Sequence, residues 1–208
     1  YLRAYRWSLL IKDKIPTIDL FKAEFIGYFG NNILPFRFGE ILRTYIVSKR
    51  HHLSKSQVFG SIIFERTLDM LATGLMLIIL ICFHNSFLSK INDLLFYSLF
   101  IILTIGVLGI VIIFFKKENF MSEHKNKYLL IIKDIYAGFS YVKKKNILYV
   151  ILLSSIIWIL YLLVVYLVQF SFNLGMDLWQ SMILLIISTV ALSIPALPGN
   201  FGTFEGSV

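Results

Sequence analysis

Glu65, Arg66 and Asp69 are the residues of this chain whose types and spacing most suggest chemistry. They interrupt the run 58–83, which carries no other charge. A charge at the centre of a membrane helix costs ~3 kcal/mol or more, so such groups persist there only when they face a partner, a cavity or a substrate path. On a helix, Glu65 and Asp69 are four residues apart and Arg66 and Asp69 three, which puts all three on one face. With a helix starting near Ser56, Glu65 lies ~14 Å along the axis, well past a headgroup position.

Two more polar clusters break the apolar pattern. The first runs from Asn31 and Asn32 through Pro35, Arg37 and Gly39 to Glu40 and Arg43. A helix resuming after Gly39 sets Glu40 and Arg43 on one face. The second holds Pro195, Pro198, Gly199, Gly202 and Glu205, where two prolines and two glycines must end a helix. Each break frees backbone N–H groups at a helix start, and helix starts bind anions. Arg37, Arg43 and Arg66 add positive charge. Together these groups could hold a phosphate headgroup. Glu40, Glu65 and Asp69 would then balance the arginines or contact a cationic headgroup. A structural ion-pair network that fixes helix packing is the competing reading of Glu65, Arg66 and Asp69. Pro35–Gly39 and Pro198–Gly202 share the pattern P-x-x-F-G, each with a glutamate soon after. Broken segments in corresponding halves point to inverted repeats with a site at their interface.

The elements that must position these clusters are membrane helices. Hydrophobic residues make up 58% of the chain and charged residues only 15%. Mean hydropathy is +0.78. A soluble domain carries roughly 25% charged residues. Clear spans are expected at 58–83, 93–115, 146–170 and 178–197, since ~20 apolar residues cross a bilayer. Placing 1–18, 37–57 and 116–145 in the cytoplasm puts 17 of the 20 basic residues inside, as positive-inside topology requires. Trp7 and Tyr5 then fit an interfacial position. Segment 19–36 has cytoplasmic flanks on both sides and cannot cross once. It reads as a re-entrant element, with a surface-lying amphipathic helix as the alternative; 195–208 is a second re-entrant candidate. Irregular backbone at that depth is tolerated only under cover of protein or water, and Asn side chains can satisfy freed backbone groups. Residues 128–141 suggest an amphipathic helix on the cytoplasmic surface.

The fold class is therefore all-α: one polytopic transmembrane helix bundle over 1–208, in the cytoplasmic membrane. The net charge of +8 lies in loops between apolar runs, which argues against nucleic acid as a partner. Cys82 alone excludes an intrachain disulfide. There is no P-loop, no H-E-x-x-H and no Cys/His metal spacing, so neither a cofactor nor a metal is expected. The chain opens on Tyr1 and stops after a Gly-rich turn, and further helices on either side are expected.

In this order, the three clusters resemble the lysylphosphatidylglycerol synthase transmembrane region, a flippase-like membrane family. The matching residues are Asn32, Pro35, Arg37, Gly39, Glu40 and Arg43, then Glu65, Arg66 and Asp69, then Pro195, Pro198, Gly199, Gly202 and Glu205. One departure is Asn200, where family members usually have a second glycine. The resemblance implies a bundle of about eight helices and a lipid flippase or transporter for a phospholipid or polyprenyl-linked lipid. Membrane lipids would be its partners, and a homo-oligomer is compatible with the sequence. A glycosyltransferase-like enzyme using a lipid-linked sugar is a second reading. It is disfavoured because the outward connections offer only Asp93 and Asp177 as acids. A non-transporting regulator of envelope lipid synthesis is a third.

Overall fold

The computed structural model describes residues 1–11, 13–34, 38–83 and 144–193. The described residues form six helices and no strand. They are α1 (Leu2–Leu10), α2 (Thr17–Ile33), α3 (Gly39–His51), α4 (Lys55–Phe83), α5 (Lys144–Ser171) and α6 (Leu178–Ser193). The expected span 93–115, the surface helix 128–141 and the cluster Pro195, Pro198, Gly199, Gly202 and Glu205 lie outside the described residues, as do Pro35 and Arg37.

Helices α4 and α5 are long and apolar enough to cross a membrane. At 1.5 Å per residue, α4 reaches ~44 Å, more than the ~30 Å of a hydrocarbon core. Both leave large apolar side chains exposed, among them Leu75, Ile78 and Phe83 on α4 and Ile159, Val164 and Leu167 on α5. A surface of that kind suits lipid rather than water. The shorter α6 is capped at its start by a reciprocal pair. Gln180 N–H donates to Asp177 Oδ1 at 2.7 Å, and Asp177 N–H donates to Gln180 Oε1 at 3.0 Å. This is a capping box, which satisfies two otherwise orphaned donors.

Helices α2 and α3 form an antiparallel hairpin. Asp19 near the start of α2 pairs with Arg50 at 3.1 Å, near the end of α3. At the other end, Gly30 lies against Gly39 and Leu42. Helix α2 stops at Leu34, which turns to extended backbone. Helix α3 stops at His52, whose left-handed φ of 54° closes the last turn onto Ser48. Lys49, Arg50 and His51 in that turn favour the negative end of the helix dipole. The Gly39 N–H donates to Asn31 Oδ1 at 2.9 Å, so an asparagine of α2 supplies the side-chain acceptor at the start of α3. Gly39 is needed for close approach: a Cβ there would strike the Gly27 carbonyl oxygen and Asn31.

The short α1 lies at the centre of the bundle, against α2, α4 and α5. Its Ala4, Trp7 and Leu10 are buried with Leu20, Ala23, Val47, Val58 and Ile62. This corrects the expectation of an interfacial Trp7, whose ring has no exposed surface. Its indole N–H donates to Ser61 Oγ at 2.9 Å, which removes the need for a headgroup partner. Tyr5, on the opposite side of α1, does stay half exposed. A second core joins Leu77 and Leu80 of α4 to Met182 and Ile186 of α6.

The backbone contact at Gly39 leads to a first prediction. Gly39→Ala should destabilise the protein by about 1–3 kcal/mol through overpacking. Unfolding in mixed micelles measures this, and an unchanged midpoint would show that the hairpin separates easily.

Candidate functional site

Four arginines and four carboxylates meet where α1, α2, α3 and α4 converge. Glu65 stands at the centre, on the α4 face that buries Ser61 and Ile62. Ten residues separate it from the start of α4, so it sits ~15 Å along that helix. Its side chain has no exposed surface, yet two arginines donate to it at 2.7 Å: Arg3 Nη2 to Oε1 and Arg43 Nη2 to Oε2. Arg6 Nη2 stands 3.4 Å and Arg66 Nη2 3.6 Å from Oε1. One carboxylate thus ties together α1, α3 and α4.

The other charges form a second layer. Arg6, also fully buried, bonds Asp69 Oδ1 at 2.8 Å and donates to Ser154 Oγ of α5 at 3.0 Å. Arg66 Nε pairs with Glu40 Oε1 at 3.1 Å, linking α4 to α3. Its Nη1 lies 3.5 Å from Asp69 Oδ2. Arg43 rests over the Trp7 ring, 4.1 Å from its centroid, a cation–π contact that adds to its hold on Glu65. Arg3 sits over the Tyr28 ring at 5.3 Å and reaches the Tyr161 hydroxyl at 3.2 Å. The formal charges of these eight side chains cancel.

Exposure separates the network into two rings. Arg6 and Glu65 have no exposed surface, and Arg43 and Glu24 keep only 3% and 4%. Arg66 is 27% exposed, Glu40 22%, Arg3 17% and Asp69 15%. Tyr28 and Tyr161, beside Arg3, are also exposed. The outer ring therefore presents two arginines, two carboxylates and two phenols to whatever occupies that side.

Of the residues expected from sequence, the fold brings Glu40, Arg43, Glu65, Arg66 and Asp69 together. Asn32 is exposed and takes no part; Asn31, on the preceding turn step, makes the contact to Gly39. Arg3, Arg6, Glu24 and Trp7 were not anticipated as site residues. Arg3, Arg6, Trp7 and Leu10 follow the 3-4-7 spacing of a single helical face, a signal that α1 packs rather than floats. Glu24 shows as an acid inside an apolar segment, the same signal that marks Glu65. Among the described residues, no three His, Cys, Asp or Glu side chains are placed to hold a metal ion.

The two rings should differ in their hold on the fold. Glu65→Ala removes the shared partner of buried arginines and is expected to cost about 3–5 kcal/mol. Arg66→Ala, at the rim, should cost about 1 kcal/mol or less. Equal losses in an unfolding titration would contradict this ranking.

Comparison with known proteins finds membrane proteins. The chain is 28% identical to a UPF0104 membrane protein of Methanocaldococcus jannaschii, covering 85% of this chain and 76% of that relative. It is also 28% identical to a UPF0104 membrane protein of Methanothermobacter thermautotrophicus, over 97% of this chain and 68% of the relative. No solved structure matches significantly. The family model for the lysylphosphatidylglycerol synthase TM region matches residues 1–208 of this chain. This chain belongs to that family of membrane proteins.

Proposed function

We propose that this protein moves a phosphate-bearing lipid, a phospholipid or a polyprenyl-linked lipid, across the cytoplasmic membrane as a multi-pass flippase or transporter. Family membership supports a role in lipid metabolism. The observation that carries the reading is the split of one charge network into a sealed inner ring and an open outer ring. A purely structural lock gains less from partly exposed rim charges than from sealed ones, since contact with solvent weakens an ion pair. A headgroup path needs charges that can change partners.

Arg66 suits the phosphate, because a guanidinium presents a planar fork to its oxygens and its own partners lie no closer than 3.1 Å, whereas Arg3 is held by Glu65 at 2.7 Å. Asp69 and Glu40 hold Arg66 in place until a phosphate arrives. They would take a cationic headgroup substituent if the lipid carries one. Arg6, Arg43 and Glu65 form the rigid floor beneath. The α2–α3 hairpin serves as the re-entrant element. Its two ends meet at Asp19 and Arg50, while Phe25, Phe29 and Ile33 on one arm and Phe38 and Ile41 on the other are exposed. Those side chains would rest in hydrocarbon while the base stays at the cytoplasmic surface with Lys49, Arg50 and Lys55.

The test is lipid movement in reconstituted vesicles that carry a fluorescent phosphatidylglycerol. Arg66→Ala should slow the initial rate roughly tenfold, as expected from losing one charge-assisted hydrogen bond of ~1.5 kcal/mol. The same variant should remain folded. Rates equal to the wild type would remove the outer ring from the path, and no movement by the wild type of this lipid or a polyprenyl phosphate would remove the function.

A further inference from the structure

Among the described residues, Glu24 Oε1 is a buried carboxylate oxygen of the charge network without a hydrogen bond. Glu24 lies on α2, 4% exposed, facing the inner ring. Its nearest cation is Arg43 Nη2, at 3.7 Å from Oε1, beyond hydrogen-bond reach. Glu24 Oε1 has no other partner. That same Arg43 nitrogen donates to Glu65 Oε2 at 2.7 Å. One guanidinium nitrogen therefore stands between two buried carboxylates and hydrogen-bonds one of them.

None of the remaining groups that face Glu24 hydrogen-bonds it. Arg3 and Arg6 of α1 and Glu65 of α4 are within electrostatic reach, as is Tyr28 one turn along α2. Arg3 bonds Glu65 and Tyr161, and Arg6 bonds Asp69 and Ser154 through Nη1, while its Nε and Nη2 make no hydrogen bond to Glu24 or to any other group among the described residues. Glu65 adds repulsion. An ionised carboxylate buried without a hydrogen bond is strongly unfavourable, and such a group takes up a proton instead.

We propose that Glu24 is a proton-binding site: it holds a proton while Arg43 bonds Glu65, and gives that proton to water when Arg43 turns to Glu24. The O–H bond of the carboxyl breaks, the proton leaves, and an Arg43 N–H···O contact to Oε1 replaces it. Closing 3.7 Å to a charge-assisted ~2.8 Å requires a shift of about 1 Å. The consequence is mechanical. Glu24 and Arg43 both belong to the α2–α3 hairpin, whereas Glu65 belongs to α4. With the proton on Glu24, Arg43 clamps the hairpin to α4. With the proton gone, the ionised Glu24 draws the Arg43 guanidinium toward its own hairpin, which lengthens and weakens the bond to Glu65 and leaves Arg66–Glu40 as the unaltered ion pair between α3 and α4 among the described residues. Low pH therefore favours the clamped arrangement and high pH the loosened one. Coupling of this proton to lipid movement rests on the function proposed above; proton binding itself does not.

Infrared difference spectroscopy on the protein in phosphatidylglycerol–phosphatidylethanolamine nanodiscs at neutral pH tests the site directly. The wild type should show the carbonyl stretch of a protonated carboxylic acid, and Glu24→Gln should lose it. An unchanged band after Glu24→Gln would overturn the proposal. Glu24→Gln should also keep the wild-type melting temperature, because the amide mimics the neutral acid. A clear drop would mean that an ionised Glu24 holds Arg43, and would overturn it too. In the vesicle assay, Glu24→Gln should flatten the pH dependence of lipid movement. If the band is lost but that pH profile persists, the proton site stands and only its coupling to lipid falls.

Discussion

The carboxylate of Glu65 accepts from Arg3 and Arg43 at 2.7 Å each in a place closed to solvent. An ion buried that deeply has lost its hydration, and the arginines return the lost energy only if they stay in place. Their positions then constrain three helices at once: α1 through Arg3 and Arg6, α3 through Arg43, and α4 through Glu65 itself. The hydrophobic core around Trp7 reinforces the same geometry, since Trp7 stacks under Arg43 and bonds Ser61 four residues before Glu65. Apolar packing and charge pairing thus select one arrangement of α1 in the bundle. Neither would do so alone: apolar packing is non-directional, and an isolated buried pair is weakly stabilising.

Close backbone approach is the second condition. Gly27, Gly30 and Gly39 let α2 and α3 approach closely, with the Arg43 and Leu42 side chains of α3 seated against the glycines of α2. That proximity brings the Arg43 stem alongside Gly27 and its head to Glu65. A bulkier hairpin would hold Arg43 away from α4. The hairpin therefore combines two properties that differ in kind. Its inner edge is rigid and glycine-packed, and its outer face is apolar and uncovered. Between them lies a charge network whose rim members have more than one partner within reach.

Part of this was legible in the residues. Glu65, Arg66 and Asp69 stood out because acids in an apolar run are rare, and helical spacing already put them on one face. Glu40 and Arg43 followed from the helix restart at Gly39. Other parts were not. Arg3 and Arg6 resemble the basic residues that set topology, because composition does not distinguish a charge that faces water from one that faces Glu65. Trp7 resembles an interfacial anchor for the same reason. Asn31 and Asn32 are neighbours in sequence, and only the direction of each side chain on α2 shows that Asn31 reaches Gly39.

The sequence by itself determined that this chain is an all-α membrane protein with charges inside its apolar segments, because hydropathy and helical period act along the chain and need no partner. It also determined the family, through three polar clusters in order. Tertiary structure alone decided which charges meet. Arg6 and Asp69 are 2.8 Å apart although 63 positions separate them, and Arg43 chooses Glu65 over Glu24 by about 1 Å. Ion pairing falls off over a few ångströms, a scale that spacing along the chain does not record. The division into a sealed and an open ring is a property of how the helices pack.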